Sequence, residues 1–498
     1  MPFVNNVPFF SIFIGMLAGI IMPLVKNGRT AYRITEGATI LIGVLSFWLW
    51  AATVQAGESF TFMMGHFPAP WGNELRAGPL EAMLASIFSV VMLLSMRGGK
   101  TDLFSDISAH KQSGYCLMLN LMLASLLALI YTNDVFTAYV FIEINAITAC
   151  GIVIARRPGK ATAAAMLYFV LSCVGSGLFL MGITLLYMCT GHLLMSGMDA
   201  AIAALASSGQ YRVPLLIAVA LLTLGLAIKS ALYPFYGWIP GAYSTATTSG
   251  SSLQAGLVSK GYVILLIKLI YRVFTIDLML DLHILQVLFW LGVLGIIMAS
   301  VRAYQEQSVK RMLAYSSAAQ MAYVFMGVGM GTPEGMMAAC YQMFAHTLAK
   351  PLLFTSAGIL IRSAGGNKNL SGLRGTARCN PLAGIGFTVG GLSLIGIPLL
   401  AGFASKFYLG MAAMESLHLM VPALLALAAS SVLNALYYLP AIIGIWYPEA
   451  PDGEAKLAVE RTDKSAMLSI AGFIILTVLF GTAVKPIVHL INLGLSLL

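Results

Sequence analysis

Six side chains able to take up and release protons stand inside apolar stretches of this sequence: Glu143, Lys229, Lys260, His346, Lys350 and Lys406. An ionised group near the centre of a membrane helix costs roughly 2.5–3.5 kcal/mol on insertion scales, so such groups pair, line water or carry ions. Glu143, in DVFTAYVFIEINAITACGIVIARR, is read as the one acidic residue of nineteen well inside such a stretch, and a buried lysine is its natural counter-charge. His346 and Lys350, in YQMFAHTLAKPLLF, are four apart and share a helix face. Histidine exchanges protons near neutral pH. Lysine is a poor metal ligand and no second histidine is close, so this pair fits a relay better than a metal site. One carboxylate and several cationic groups in one apolar bundle can pass a proton in series when water connects them.

The elements that hold these residues follow from composition. Of 498 residues, 59% are hydrophobic and only 9% charged, with mean hydropathy +0.88, whereas an average soluble domain carries about 25% charged residues. Apolar runs of about 20 residues recur, each long enough to cross a ~30 Å hydrocarbon core. Composition thus excludes a soluble enzyme and a disordered chain and gives an all-α polytopic membrane protein. Segments bounded by charge or by Gly/Pro/Asn clusters predict about fourteen spans, at 7–25, 35–55, 79–96, 114–132, 135–155, 161–188, 213–235, 250–271, 284–301, 312–330, 335–361, 382–409, 419–446 and 465–490. The N-terminal stretch lacks a basic n-region and a small-residue cleavage site, and reads as the first span.

The charges sort by side. Nineteen of the 28 Lys and Arg residues, among them Arg33, Arg97, Arg156, Lys310, Arg362, Lys456 and Arg461, fall in loops after odd-numbered spans, and only Arg76, Arg212, Arg272 and Lys485 lie on the opposite side. Lys and Arg are retained in the cytoplasm, which places the odd-to-even loops there and both termini outside. Five lysines remain within spans. Lys268, near a span end, reads as snorkelling to the interface; Lys229, Lys260, Lys350 and Lys406 read as functional. The net charge of +9 is therefore chiefly topology and no sign of nucleic-acid binding. Six cysteines without a CxxC pair give no iron–sulfur, zinc or disulfide framework, and no Walker or GxGxxG motif is present, so no cofactor and no quinone-reducing centre are expected in this chain.

Two lysines sit beside helix-breaking signals in matching places. In GLAIKSALYPFYGWIPGAYSTATTSGSSLQAG, Lys229 precedes Pro234, and the helix is expected to give way to a Gly/Ser/Thr-rich stretch through Gly256. In GGLSLIGIPLLAGFASKFYLG, Pro398 precedes Lys406. Opposite order is what two repeats of inverted topology give, and broken helices in corresponding positions point to a transport site at the repeat interface. Pro351 removes a backbone donor and can kink its span.

The segment from Lys229 through Trp238-Ile239-Pro240 to Lys260-Gly-Tyr, followed by VKRMLAYSSAAQMAYV, HTLAKPLLF and LSLIGIPLLAGFASKF, resembles the antiporter-like proton-conducting subunits of respiratory complex I, group 4 membrane-bound NiFe hydrogenases and formate hydrogenlyases, and Mrp-type antiporters. The resemblance covers about residues 114–446. It implies N-terminal helices over 1–113, a first five-helix repeat over 114–272, an inverted second repeat over 276–446, and a loop with a fourteenth helix over 447–498, with helices 7 and 12 broken. It implies a Glu143–Lys229 pair, a central Lys260, a relay at His346 and Lys350, and a terminal Lys406. It also implies ion (proton or sodium) translocation in a hetero-oligomeric complex of the prokaryotic inner membrane. A peripheral electron-transfer module on partner chains would hold any Fe–S, NiFe or flavin group; the alternative is a stand-alone Mrp-type sodium/proton antiporter. Relatives often read W-L-P-D-A-H where this sequence has Gly241, Ala242 and Tyr243 after Pro240, so the acid and histidine of that corner are missing.

Overall fold

Twelve helices are long and apolar enough to cross a membrane in the computed structural model of the chain, which describes residues 2–67, 72–156, 159–416, 418–447 and 463–498. Arg157, Lys456 and Arg461 of the predicted basic loops lie outside the described residues. The helices run α1 (Val7–Ile21), α2 (Gly28–Ala56), α3 (Pro79–Gly98), α4 (Ala109–Tyr131), α5 (Val135–Ile154), α6 (Lys160–Thr190), α7 (Arg212–Lys229), α8 (Thr248–Phe274), α9 (Ile284–Gln305), α10 (Val309–Gly329), α11 (Pro333–Ser363), α12 (Pro381–Ile395), α13 (Met420–Trp446) and α14 (Lys464–Thr482). Two of these fall outside the twelve: α10 carries Lys310, Arg311, two serines and Gln320, and α12 has only 15 residues.

Three features depart from expectation. An antiparallel hairpin, Phe60–Met63 with Glu74–Ala77, and a helix at Met195–Ser208 fill connections read as plain loops. The last span stops at Thr482 and restarts as Val484–Ser496. The Gly/Ser/Thr stretch does not unwind through Gly256; it is α-helical over Thr248–Leu253 and makes a π-helical turn over Gln254–Val258. Its hydroxyls turn back onto backbone: Thr247 accepts from the Gly250 amide at 3.2 Å, and Ser251 donates to the Tyr243 and Thr247 carbonyls at 2.6 and 2.9 Å. In an apolar interior no water competes for those carbonyls, so hydroxyl residues that favour turns in water support a helix here.

Helices α8 and α11 form the centre and are buried along their most apolar stretches, whereas α2, α13 and α14 bury about a third of theirs. Small residues bring the central helices together. A Cβ at Gly256, in the π-helical turn of α8, would stand 2.6 Å from Cγ of Pro351, so the turn is seated on the proline of α11. Gly256→Val is expected to cost about 1–3 kcal/mol through overpacking and to lower the thermal unfolding midpoint of the detergent-solubilised protein; an unchanged midpoint would refute this close seating.

Candidate functional site

The two breaks share a local design. Helix α7 ends on Lys229, and the chain turns through Ser230–Pro234 with Ala231 in left-handed backbone at φ +57°. Helix α12 ends on Ile395, and the chain turns through Gly396 (φ +102°) and Leu399 (φ +71°) before a second limb, Ala401–Glu415, returns Lys406 to the break. A left-handed non-glycine residue costs roughly 1–2 kcal/mol, and each break keeps one. The Lys406 ammonium donates to the Ile395 carbonyl at 2.9 Å. The end of a helix offers free carbonyls and the negative pole of its dipole, which stabilise a cation without a carboxylate.

Three other buried lysines also donate to backbone carbonyls, though not all of these lie at helix ends. Lys260 donates to the Ala255 carbonyl in the π-helical turn. Lys350 donates to the Leu313 carbonyl at 3.0 Å and to the Tyr438 hydroxyl at 3.1 Å. Lys268 does not snorkel: it is fully buried and donates to the Ile130 and Thr132 carbonyls, at 2.7 and 2.5 Å, at the end of α4. Free carbonyls at that helix end supply inside the protein what the interface was expected to supply outside.

Lys229 is the member with a carboxylate beside it. Its ammonium donates to Ser172 Oγ at 2.8 Å, lies 5.6 Å from the centre of the Tyr262 ring, and stands 4.0 Å from Glu143 Oε1. The Glu143 side chain is 28% exposed, so this residue sits at the rim of the bundle and turns one oxygen inward. That inward oxygen is buried without a hydrogen bond, which leaves an ion pair looser than a hydrogen-bonded one. From there the polar groups lead inward. Tyr262 donates to Asn145 Oδ1 at 2.9 Å. Lys260, His346 and Lys350 are fully buried; His346 lies within electrostatic reach of both lysines, and neither of its ring nitrogens has a hydrogen-bond partner among the described residues. One turn before His346, Gln342 donates to Gln320 at 2.7 Å and accepts from Ser405, the neighbour of Lys406, at 2.5 Å.

Of the six, the structure pairs Glu143 of α5 with Lys229 of α7, keeps Lys260 of α8 and His346 and Lys350 of α11 within electrostatic reach of one another, and sets Lys406 on the second limb of α12. Pro234 and Pro398 both lie in the breaks. Sequence reasoning missed Gln342, although Gln342, His346 and Lys350 recur every four residues, the spacing of one polar stripe on α11. It also missed Ser172, Gln320 and Tyr438, single polar residues without such a signal.

Loops after odd-numbered helices meet at one end of the bundle. A cavity of about 310 Å³ there is lined by Asp102, Asp106, Arg156, Lys310, Arg362 and Lys368. Arg156 pairs with Asp106 at 2.8 Å and Arg362 with Asp102. Burial, and then the Arg156 charge, hold the Lys368 ammonium below its usual range. The opposite end holds an ion pair that the sequence did not announce. Arg272, expected in a loop, is buried and meets Glu81 at 2.5 Å, and Arg272 also donates to Asn133 Oδ1 at 3.2 Å. Glu81 is 1% exposed, far more deeply buried than Glu143 at the rim.

Comparison with known proteins places this geometry. The profile of the family described as NADH:quinone oxidoreductase/Mrp antiporter, TM, matches residues 132–433. The NADH-quinone oxidoreductase subunit N of Desulforudis audaxviator is 30% identical over 406 residues, 82% of this chain and 79% of that protein. An Na(+)/H(+) antiporter subunit of Bacillus subtilis is 27% identical over 478 residues, 96% of this chain and 94% of that protein. Among solved structures, a chain of the membrane-bound sulfane sulfur reductase, an archaeal respiratory membrane complex, superposes with a TM-score of 0.86 at 26% identity, covering 99% of this chain and 96% of that one. A chain of the Mrp complex from Dietzia sp. DQ12-45-1b has the same fold, with a TM-score of 0.87 at 20% identity over 100% of this chain and 97% of that one. The matched region takes in both breaks and all six titratable residues, and the chain belongs to the NADH:quinone oxidoreductase/Mrp antiporter family of transmembrane subunits.

Proposed function

We propose that this chain conducts protons across a prokaryotic inner membrane as the antiporter-like subunit of a redox-driven, hetero-oligomeric complex of complex I or membrane-bound hydrogenase type. The observation that carries the reading is the set of titratable side chains held in the bundle, from the Glu143–Lys229 pair at the rim to the fully buried Lys260, His346 and Lys350, with Lys406 at the second break. Lys260, Lys350 and Lys406 donate to backbone carbonyls, so each charge has an acceptor, and among the described residues Lys229 is the one of these lysines with a carboxylate within ion-pair distance. A change of charge near Glu143 alters how firmly Lys229 holds its proton, and Lys260, His346, Lys350 and Lys406 receive the displaced proton in turn. In this reading two inverted five-helix repeats each supply half of the path, the basic end faces the cytoplasm, and both termini lie outside. Electrons and the groups that carry them, flavin, Fe–S or NiFe, belong to partner subunits. The end-to-end likeness to the Na(+)/H(+) antiporter protein of Bacillus subtilis favours a second reading, sodium/proton exchange in an Mrp-type assembly without electron transfer.

The test uses the full chain purified with its native partners and reconstituted in vesicles. Proton movement on adding an electron donor is expected under the first reading; movement driven by a sodium gradient without a donor would replace it with the second. Ion movement by the chain alone would sink both. Lys260→Met, which removes the central relay charge, is expected to reduce proton movement by at least about tenfold with assembly intact, on the scale of a general acid–base residue removed.

A further inference from the structure

We propose that the basic end of α1 and α2 is a binding site for an anionic phospholipid, with the phosphate headgroup held in a cleft between α2 and the loop after α3. That cleft has a volume of about 910 Å³ and is lined by Lys26, Arg29, Arg33, Lys100 and His110, with Glu36 the one carboxylate among its lining residues. Glu36 is already committed, 2.6 Å from Arg97. Among the described residues Lys26, Arg29, Arg33 and Lys100 make no ion pair; Lys100 lies 5.6 Å from the centre of the Tyr32 ring. Asn27 caps α2 by accepting from the Arg29 amide at 2.9 Å, so the helix opens with its positive pole in the cleft. Four unpaired cations around one cavity want a multiply accepting anion, and phosphate suits both lysine and arginine.

The apolar surface beside the cleft distinguishes a lipid from a free anion. Arg33, Gly37, Ile40, Leu41, Val44 and Trp48 lie on one side of α2 at helical spacing. Ile40, Leu41, Val44 and Trp48 are 42–62% exposed, and a Cβ at Gly37 would meet nothing within 4 Å. From Arg33 to Trp48 the helix climbs roughly 22 Å at 1.5 Å per residue, about the length of an acyl chain. Leu24, two residues before Lys26, is 81% exposed. A phosphate in the cleft therefore has its tails directed along a ready-made apolar face, and basic pockets between transmembrane helices are a recognised form of headgroup site.

The full chain in detergent micelles is to be titrated with dioleoylphosphatidylglycerol and, separately, dioleoylphosphatidylcholine, and bound lipid counted by native mass spectrometry. Phosphatidylglycerol is expected to bind at least about tenfold more tightly, and the preference to collapse in R29Q/R33Q/K100Q, since each cation near an anionic headgroup contributes roughly fivefold. R212Q, a cation on the opposite side, serves as the control and keeps the preference. Should the triple variant fail to fold, R33Q alone is expected to lose roughly fivefold. Equal binding of the two lipids, a preference untouched by R29Q/R33Q/K100Q or R33Q, or full displacement of phosphatidylglycerol by 10 mM inorganic phosphate would overturn the proposal. The last result would assign the cleft to a free anion. Blockage of the cleft in the assembled complex, seen as loss of phosphatidylglycerol on adding the partner subunits, would assign the face to a protein contact and likewise overturn it.

Discussion

Lys229→Ala and Glu143→Gln, each in the assembled complex, are expected to lower proton translocation by at least about tenfold, because opposite charges 4 Å apart interact by about 4 kcal/mol at an effective dielectric near 20 and each 1.4 kcal/mol is a factor of ten. The 4.0 Å separation and the absence of a hydrogen bond to the inward Glu143 oxygen make this pair adjustable. A tight buried pair would hold its proton through the cycle; a loose one at the rim can be altered by a neighbouring charge. The expected signature is loss of pumping with electron transfer preserved in the presence of an uncoupler, read alongside native gels that show the complex whole. Lys229→Arg retains the charge on a larger head and is expected to restore part of the activity. Undiminished pumping in Lys229→Ala with the complex assembled would remove Lys229 from the path. If the double variant K229A/E143Q were no worse than either single one, the two residues would act as a unit, as the geometry requires.

The candidate residues were legible in the sequence because a charge within an apolar run is conspicuous. Glu143, Lys229, Lys260, His346, Lys350 and Lys406 each stand among residues that belong in lipid, and Pro234 and Pro398 mark the breaks beside two of them. What escaped notice did so for physical reasons. Lys268 and Arg272 sit near the end of a predicted span, where the sequence cannot distinguish a side chain reaching the interface from one that bonds the end of the next helix. Only packing decides, and it buries both. The segment from Thr247 to Gly256 was misread because serine and glycine unwind helices in water. Here their smallness lets α8 press against Pro351, and their hydroxyls bond carbonyls of the same segment. Gln342 carries no charge to draw the eye, yet it joins the α11 stripe to Ser405 beside Lys406.

The Glu81–Arg272 pair carries the largest expected effect on stability. Arg272→Ala is expected to destabilise the protein by about 3–5 kcal/mol, the cost of leaving one partner of a buried pair uncompensated. The two side chains are 1% and 3% exposed, so little solvent is at hand to take over from the lost guanidinium. Glu81 is held from two directions. Its Oε2 accepts from the Gly78 amide at 3.0 Å and closes the start of α3, while its Oε1 meets Arg272 at the end of α8. Arg272 in turn reaches Asn133, whose side chain donates to Glu74 at 2.7 Å, so the pair ties α3, α4, the hairpin and α8 together. Because most of the penalty is an orphaned charge, E81Q/R272Q is expected to cost less than Arg272→Ala alone, the two changes compensating in a double-mutant cycle. The measurement is the thermal unfolding midpoint in detergent for Arg272→Ala and, for the cycle, Arg272→Gln, Glu81→Gln and the double variant. A midpoint for Arg272→Ala equal to that of the parent would mean that water reaches the site, and strictly additive losses would mean that the two charges do not depend on one another.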